Sequence, residues 1–140
     1  MDIKTKKLRP DARLPHRTHP ADSGADLFSV ADADLPPFVP VRLATGIAVE
    51  LPENTSGLVW GKSSVESQGI KVLAGLIDST YRGEIIVCLI NLTKEPKSIA
   101  KGRKIAQLVV VPTFYPGFVE ASDLGETPRG DGGFGSTGHG

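Results

Sequence analysis

The fold is decided by the stretch VPVRLATGIAVEL, residues 39–51. Apolar side chains recur there at every second position on either side of Thr45-Gly46: Val39, Val41, Leu43, Ile47, Val49 and Leu51. Because successive side chains of a β-strand point to opposite faces, this spacing is typical of strands with one buried face. The stretch therefore predicts a pair of half-buried strands with a break between them.

The rest of the chain also favours short strands. Continuous apolar runs of strand length occupy residues 84–90 (EIIVCLI) and 108–111 (LVVV), and such runs suit strands covered on both faces. Eleven prolines interrupt the sequence, and since each costs a helix interior about 3 kcal/mol, long helices are nearly excluded. One short helix is predicted from a cap at Ser63 or Ser64 to Gly69. This pattern indicates a sandwich, a jelly roll or a barrel.

Composition limits the function classes. The 140 residues correspond to one domain, and 16 basic residues balance 16 acidic ones. No global positive field attracts nucleic acid, so any phosphate chemistry must come from a local site. Cys88 is the only cysteine, which fits a reducing compartment. With neither a signal peptide nor a membrane span in the sequence, we expect a cytoplasmic protein without membrane or nucleic-acid partners. A nuclear or a virus-encoded protein is left open.

A local anion site is indicated by residues 57–63 (GLVWGKS). They resemble a Walker A loop, but three residues separate the glycines where a P-loop needs four. Lys62, Ser63 and Ser64 nevertheless place a cation, two hydroxyls and free N–H groups at a helix start, which suits an anion. The alternative interpretation is an exposed turn with a helix cap.

Two other segments carry candidate chemistry. Asp78 and Tyr81 lie in a predicted hairpin turn, where an aspartate can act on a substrate or simply bond its own backbone. The last twelve residues, RGDGGFGSTGHG, are half glycine and are predicted to be a mobile tail. Ordering such a tail costs about 1–2 kcal/mol per residue, so it should close only over a ligand with many contacts, such as a triphosphate. The alternative for the tail is an inert linker.

Five segments together resemble the five motifs of trimeric dUTPases, in the family's order and over nearly the whole chain. They are residues 21–27 (ADSGADL), 61–64 (GKSS), 74–83 (AGLIDSTYRG), 103–108 (RKIAQL) and 129–138 (RGDGGFGSTG). Two positions depart from the family pattern. Lys62 stands where arginine is usual and keeps the charge without the planar fork, and Thr80 stands where an acidic residue or glycine is frequent.

The resemblance implies a fold, an assembly and a reaction. The fold would be an all-β, distorted jelly-roll β-barrel over residues 1–125, with one short helix, followed by a flexible glycine-rich lid over residues 126–140. The assembly would be a homotrimer whose active sites are shared between subunits. The reaction would be hydrolysis of dUTP to dUMP and pyrophosphate, which limits uracil in DNA and supplies dUMP for thymidylate synthesis.

The resemblance also implies residue roles. Asp78 would activate the water that attacks the α-phosphorus, and Tyr81 would pack against the deoxyribose and exclude a 2′-hydroxyl. Asp26 would act on Mg²⁺ indirectly, through water, with the ion held mainly by the triphosphate. The residues implied to bind substrate are Lys62, Ser63, Ser64, Gly75, Ile77, Tyr81, Gln107, Arg129, Phe134, Gly135, Ser136 and Thr137.

Two rival interpretations remain at this stage. A dCTP deaminase relative would share the fold, although Tyr81 followed by Arg82-Gly83 and the complete glycine-rich tail favour a dUTPase. A non-enzymatic jelly-roll module, such as a capsid or adhesion domain, would leave the tail composition and the Lys62-Ser63-Ser64 cluster unexplained.

Overall fold

A computed structural model describes residues 1–135 as a nearly all-β molecule with a single short helix. Its ten strands are β1 (Lys4–Lys7), β2 (Ala25–Phe28), β3 (Ala33–Leu35), β4 (Pro40–Glu50), β5 (Thr55–Trp60), β6 (Ile70–Leu73), β7 (Leu76–Ile77), β8 (Glu84–Asn91), β9 (Lys97–Ile99) and β10 (Lys104–Pro112). The helix α1 (Ser63–Glu66) lies between β5 and β6. Residues 136–140 are outside the described part of the chain.

The strands form two four-stranded sheets and one two-stranded sheet. The first sheet has the order β1-β4-β8-β6, the second β2-β10-β5-β7, and β3 pairs with β9. The core combines side chains of both large sheets with side chains of β3, β9 and α1. Its largest fully buried apolar side chains are Leu27, Leu35, Ile47, Ile70, Ile85, Leu89, Ile99, Ile105, Val65 and Val87. This architecture confirms the predicted all-β jelly-roll class.

The stretch at residues 39–51 forms one strand, not two. β4 runs through Thr45-Gly46, where its pairing with β8 shifts between Ala44 and Ala48. Gly46 adopts φ +71°, a left-handed conformation that favours glycine, and its N–H donates to Glu84 Oε2 at 2.9 Å. The predicted break is therefore a bulge within a continuous strand. The predicted burial parity holds from Leu43 onward.

β8 also differs from the expectation. Its side chains alternate, with Ile85, Val87 and Leu89 buried while Ile86 is 43% exposed. The prediction that residues 84–90 are covered on both faces is wrong for the single chain, because the second sheet packs against only one face of β8. An apolar face of this strand is left open to solvent.

The short helix forms within the predicted residues, but the predicted serine cap is wrong. The helix covers Ser63–Glu66, so both serines are already helical, the N-cap residue is Lys62, and no side-chain hydrogen bond caps the helix. Gly69 follows with φ +82°, and its N–H donates to the Glu66 carbonyl. Four helical residues are too few for the helix that follows a P-loop, in agreement with the glycine spacing. Within residues 1–135, no helix has the length and apolar character needed to cross a membrane.

Candidate active site

Asp26 is a buried carboxylate on the edge strand of the second sheet. It lies on β2, and only 5% of its surface is exposed. Its backbone pairs with His16 on one side and faces Gln107 of β10 on the other. A charged side chain at such a position requires compensating partners, because burial disfavours the ionised form.

Two lysines supply that compensation. The Nζ atom of Lys62 donates to Asp26 Oδ1, and Lys104 Nζ lies 3.0 Å from Oδ2. Burial by itself raises the pKa of Asp26, but the hydrogen bonds from Lys62 and Lys104 outweigh it and hold the pKa below its ordinary value. The three side chains together carry one positive charge in excess. The start of α1 is therefore a site with a net attraction for anions.

A β-bulge brings Lys104 into this cluster. Lys104 and Gln107 are three positions apart, so in a regular strand they would point to opposite faces. The register of β10 against β2 shifts between Lys104 and Ala106, and Lys104 then pairs with Phe28 while Gln107 pairs with Asp26. Because Phe28 and Asp26 share a face of β2, Lys104 and Gln107 also share one. Sequence reasoning missed Lys104, and only this bulge reveals it.

Gln107 completes the cluster from β10. Its Nε2 donates to the Gly61 carbonyl at 2.8 Å, which ties β10 to the segment before α1. A Cβ at Gly24 would lie 2.2 Å from Gln107 Oε1, so the glycine makes room for the amide. Among the described residues, the N–H groups of Ser63 and Ser64 make no hydrogen bond. The structure thus brings Asp26, Lys62, Ser63, Ser64, Gln107 and Lys104 together, and we call this set the phosphate cradle.

A separate cleft lies beside the connection between β6 and β7. It has a volume of about 270 Å³, and its walls include Gly75, Ile77, Asp78 and Tyr81. A Cβ at Gly75 would lie 2.7 Å from the Val59 carbonyl oxygen, so only glycine allows this connection to approach β5 this closely. β6 pairs with β8 in the first sheet and β7 pairs with β5 in the second, so the chain crosses between the sheets at this connection. Because β7 and β8 also belong to different sheets, the turn at Asp78 is not the predicted hairpin turn.

Asp78 and Tyr81 occupy the turn after β7. Asp78 is exposed, and within residues 1–135 its carboxylate accepts no hydrogen bond, although its backbone carbonyl accepts one from the Tyr81 N–H. The Tyr81 hydroxyl donates to the Glu84 carbonyl at 2.8 Å, and the ring lies against Gly83. The turn thus holds the tyrosine ring in a fixed place at the cleft while Asp78 remains free to accept a proton.

Residues 129–135 of the C-terminal segment reach neither group. Arg129 Nε donates to the Gly132 carbonyl within its own turn, and Phe134 is fully exposed. Gly135 follows it, while Ser136 and Thr137 lie outside the described residues. Within residues 1–135, no hydrogen bond or ion pair joins the phosphate cradle to Asp78 or Tyr81, or either of these to Arg129. The predicted site residues therefore form three separate groups in a single chain.

Comparison with known proteins identifies the family of this sequence. The dUTPase family model matches residues 10–138. This chain belongs to the dUTPase family. A deoxyuridine 5′-triphosphate nucleotidohydrolase of Hydrogenobaculum sp. (strain Y04AAS1) is 47% identical over 142 residues, which cover 99% of each chain.

Solved structures of the family superpose on this chain over most of its length. A mutant dUTPase of Staphylococcus bacteriophage 80alpha with dUpNHpp gives a TM-score of 0.91 at 29% identity and covers 99% of both chains. A mutant dUTPase from phage phi11 of S. aureus, which coordinates a structural Mg(II) ion, gives a TM-score of 0.82 at 26% identity. It covers 89% of this chain and 99% of its own.

The side chains near Asp26 decide whether a magnesium ion can be held there. The described residues contain no group of three or more acidic, histidine or cysteine side chains that could hold a metal. Asp26 has both carboxylate oxygens engaged by lysines. This donor set does not hold a cation by itself, but it fits an ion carried by a triphosphate and reached through water, as Mg²⁺ prefers.

Proposed function

We propose that this protein hydrolyses dUTP to dUMP and pyrophosphate, and so limits uracil in DNA and supplies dUMP for thymidylate synthesis. The observation that carries the proposal is the unpaired Asp78 carboxylate at the rim of a cleft on a dUTPase framework. A cleft of about 270 Å³ is below the range of roughly 300–1,000 Å³ that is usual for whole drug-sized ligands. It therefore suits a base and sugar, with the triphosphate outside.

Asp78 has the role of general base. Its carboxylate accepts a proton from a water, the water oxygen forms a bond to the α-phosphorus, and the bond to the bridging oxygen of the β-phosphate breaks. The electron pair of that bond leaves with pyrophosphate. A positioned base of this kind contributes typically about 10²–10⁴-fold to a rate.

The phosphate cradle would hold the triphosphate. Lys62 supplies charge, Ser63 and Ser64 supply hydroxyls and N–H groups, and Gln107 supplies an amide. Mg²⁺ bound to the triphosphate would neutralise charge that develops on the phosphate oxygens. Asp26 would act on that ion through water, which requires at least one of its two lysine partners to move.

Recognition of deoxyuridine belongs to the cleft. The backbone of Gly75 and Ile77, which line the cleft, would read the base, while the Tyr81 ring would pack against the deoxyribose. The hydrogen bond from Tyr81 to Glu84 holds the ring in place, and that ring would occupy the space that a ribose 2′-hydroxyl needs. Discrimination against UTP is then steric.

We also propose a homotrimer with shared active sites, because the three groups of site residues do not meet within one chain. Residues 126–140 would form a lid that closes over a neighbour's nucleotide through Arg129, Phe134, Gly135, Ser136 and Thr137. The open apolar face of β8 and the exposed Phe114, Phe118 and Val119 favour contacts with other subunits.

The function is tested by measuring pyrophosphate release from dUTP, dCTP, UTP and dTTP with Mg²⁺. We expect turnover of dUTP and little turnover of the other three. Ammonia release from dCTP would instead support a deaminase. A protein that binds no nucleotide at all would support a non-enzymatic jelly-roll module.

A further inference from the structure

We infer that Lys104 is a positioning residue that acts through Asp26 and determines how readily Lys62 leaves that carboxylate for the phosphates of the substrate. The inference rests on the proposed function, since it concerns how the phosphate cradle works. It assigns a role to Lys104, which lies on β10, whereas Lys62 lies in the segment between β5 and α1.

Lys62 is already occupied in the structure. Its ammonium donates to Asp26 Oδ1, and its side chain is only 22% exposed. The Lys62 ammonium has three N–H donors but a single, compact charge, so a phosphate competes with Asp26 for that charge. A triphosphate that uses Lys62 must therefore draw it away from Asp26, at least in part.

Lys104 determines what remains when Lys62 moves. A buried carboxylate that loses its only cation is strongly unfavourable. Lys104 lies 3.0 Å from the other oxygen, Oδ2, so Asp26 keeps a partner after Lys62 has left. Without Lys104, the departure of Lys62 would leave Asp26 with no direct ionic partner and only the water-separated Mg²⁺ of the substrate nearby. Lys62 would then stay with Asp26, and the cradle would lose its cation.

The cations closest to Lys104 along the chain and in the cluster have other partners. Lys71 pairs with Glu66 at 2.9 Å, and Glu66 lies against Gly61. Arg103 points elsewhere, with its Nη2 3.3 Å from Gln68 Oε1. Lys101, three residues before Lys104, is paired with Asp11 at 2.7 Å. Lys101 is therefore a matched control, because it is a lysine of the same segment that does not touch Asp26.

The test is a double-mutant cycle on affinity for a non-hydrolysable imido analogue of dUTP in the presence of Mg²⁺. The variants are Lys104→Gln, Asp26→Asn, the double variant, Lys104→Arg and the control Lys101→Gln. Binding is followed by calorimetry and by the fluorescence of Trp60, the chain's only tryptophan. Trp60 is suitable because it faces Gln107 across β5 and β10 and is 59% exposed.

We expect Lys104→Gln to weaken analogue binding by about tenfold, the change equivalent to about 1.4 kcal/mol. Affinity for dUMP should change little, because dUMP lacks the outer phosphates. Lys104→Arg should restore most of the affinity, and Lys101→Gln should behave as the parent. In the Asp26→Asn background, Lys104→Gln should have almost no further effect, since no buried carboxylate then needs a cation.

Two results overturn the inference. If Lys104→Gln lowers analogue affinity equally in the parent and in Asp26→Asn, Lys104 contacts phosphate independently. If it lowers analogue affinity in neither, Lys104 has no role. If Lys104→Gln fails to fold, Lys104→Met keeps the aliphatic stem and permits the same cycle. If the unmutated protein hydrolyses dUTP but the effects of the two substitutions are additive, only this inference is refuted. If the unmutated protein does not turn over dUTP, the proposed function itself is refuted.

Discussion

Asp78 and Asp26 show how position gives one residue type two different states. Asp78 is exposed in a turn, and its carboxylate makes no hydrogen bond within residues 1–135, so it is available to a water molecule. Asp26 is buried on the edge strand β2 between two ammonium groups, which hold the pKa of its carboxyl below the ordinary value. Within residues 1–135, the same side chain is thus exposed and unbonded in one place and buried in ion pairs in the other.

The first prediction concerns Asp78→Asn. We expect this change to leave affinity for the imido analogue within a few-fold of the parent and to lower the turnover number by about 10²–10⁴-fold. The amide keeps the shape of the side chain but cannot accept the proton, so the loss should appear in chemistry and not in binding. Single-turnover measurement separates the two, and a variant with full activity would refute the assignment.

Tyr81→Ala tests sugar discrimination. Removing the ring should open the space beside the deoxyribose, so the ratio of kcat/KM for UTP to that for dUTP should rise by about tenfold or more, as for other sites that discriminate by shape. Tyr81→Phe is the control, since it keeps the ring and loses only the hydrogen bond to Glu84. An unchanged ratio in Tyr81→Ala would make the ring a packing residue.

The ion pairs of Asp26 should make the free energy of unfolding decrease as the solution becomes acidic. The pKa of Asp26 is lowered in the folded protein by Lys62 and Lys104, although burial opposes this. The stabilisation is therefore fully present above the ordinary value of 3.8 and is lost as pH falls through the lower folded pKa. At neutral pH, Asp26→Asn should be less stable than the parent protein. The difference between their urea midpoints should become smaller as the pH falls. A difference independent of pH would contradict the ion pairs.

At the scale of elements, the junction of β2, β10 and the segment before α1 is the sensitive place. A Cβ at Gly24 would collide with Gln107, whose amide holds the Gly61 carbonyl. We expect Gly24→Ala to displace Gln107 and reduce kcat/KM for dUTP by about fivefold, corresponding to about 1 kcal/mol for one hydrogen bond. Gly117→Ala, where an added Cβ meets nothing within 4 Å, is the matched control. Equal kinetics in both variants would argue against a role for this contact.

Sequence patterns predict elements here better than they predict contacts. The alternation around Leu43 and Ile47 identifies extended chain and buries both side chains, but it predicts two strands where the bulge at Gly46 allows one. The helix after Lys62 and the turn at Asp78 are located from the sequence, although the serine cap and the hairpin are not found. Lys104 could not be found in this way, because a bulge reverses the face to which it points. The exposed face of β8 was also missed, because an apolar run does not reveal what covers it.

At the scale of the molecule, the separation of the site residues predicts complementation between two inactive proteins. One carries Asp78→Asn, and the other is truncated before Arg129, so each homotrimer contains only broken sites. An extended segment of about fifteen residues spans roughly 50 Å, enough to reach a neighbour. A mixed trimer can then combine an intact Asp78 with an intact tail in at least one site.

The two proteins are unfolded together, refolded and assayed for pyrophosphate release. Activity well above the sum of the separately refolded proteins is expected. The control is the same protocol with two preparations of Asp78→Asn, which should give no gain. If mass spectrometry detects mixed trimers and activity stays at the sum, each tail serves its own subunit and the shared site is wrong.

The strand at the margin of the first sheet has a consequence for the behaviour of the protein at high concentration. β1 has the sequence KTKK and pairs with β4 on one side only, so its other side presents unpaired backbone groups. Three lysines there place like charges against any similar strand that approaches, which opposes aggregation through edge pairing. Replacing Lys6 and Lys7 with threonine should therefore shorten the storage life of concentrated solutions, while Lys4 is kept because it shares Glu50 with Arg82, the neighbour of Tyr81.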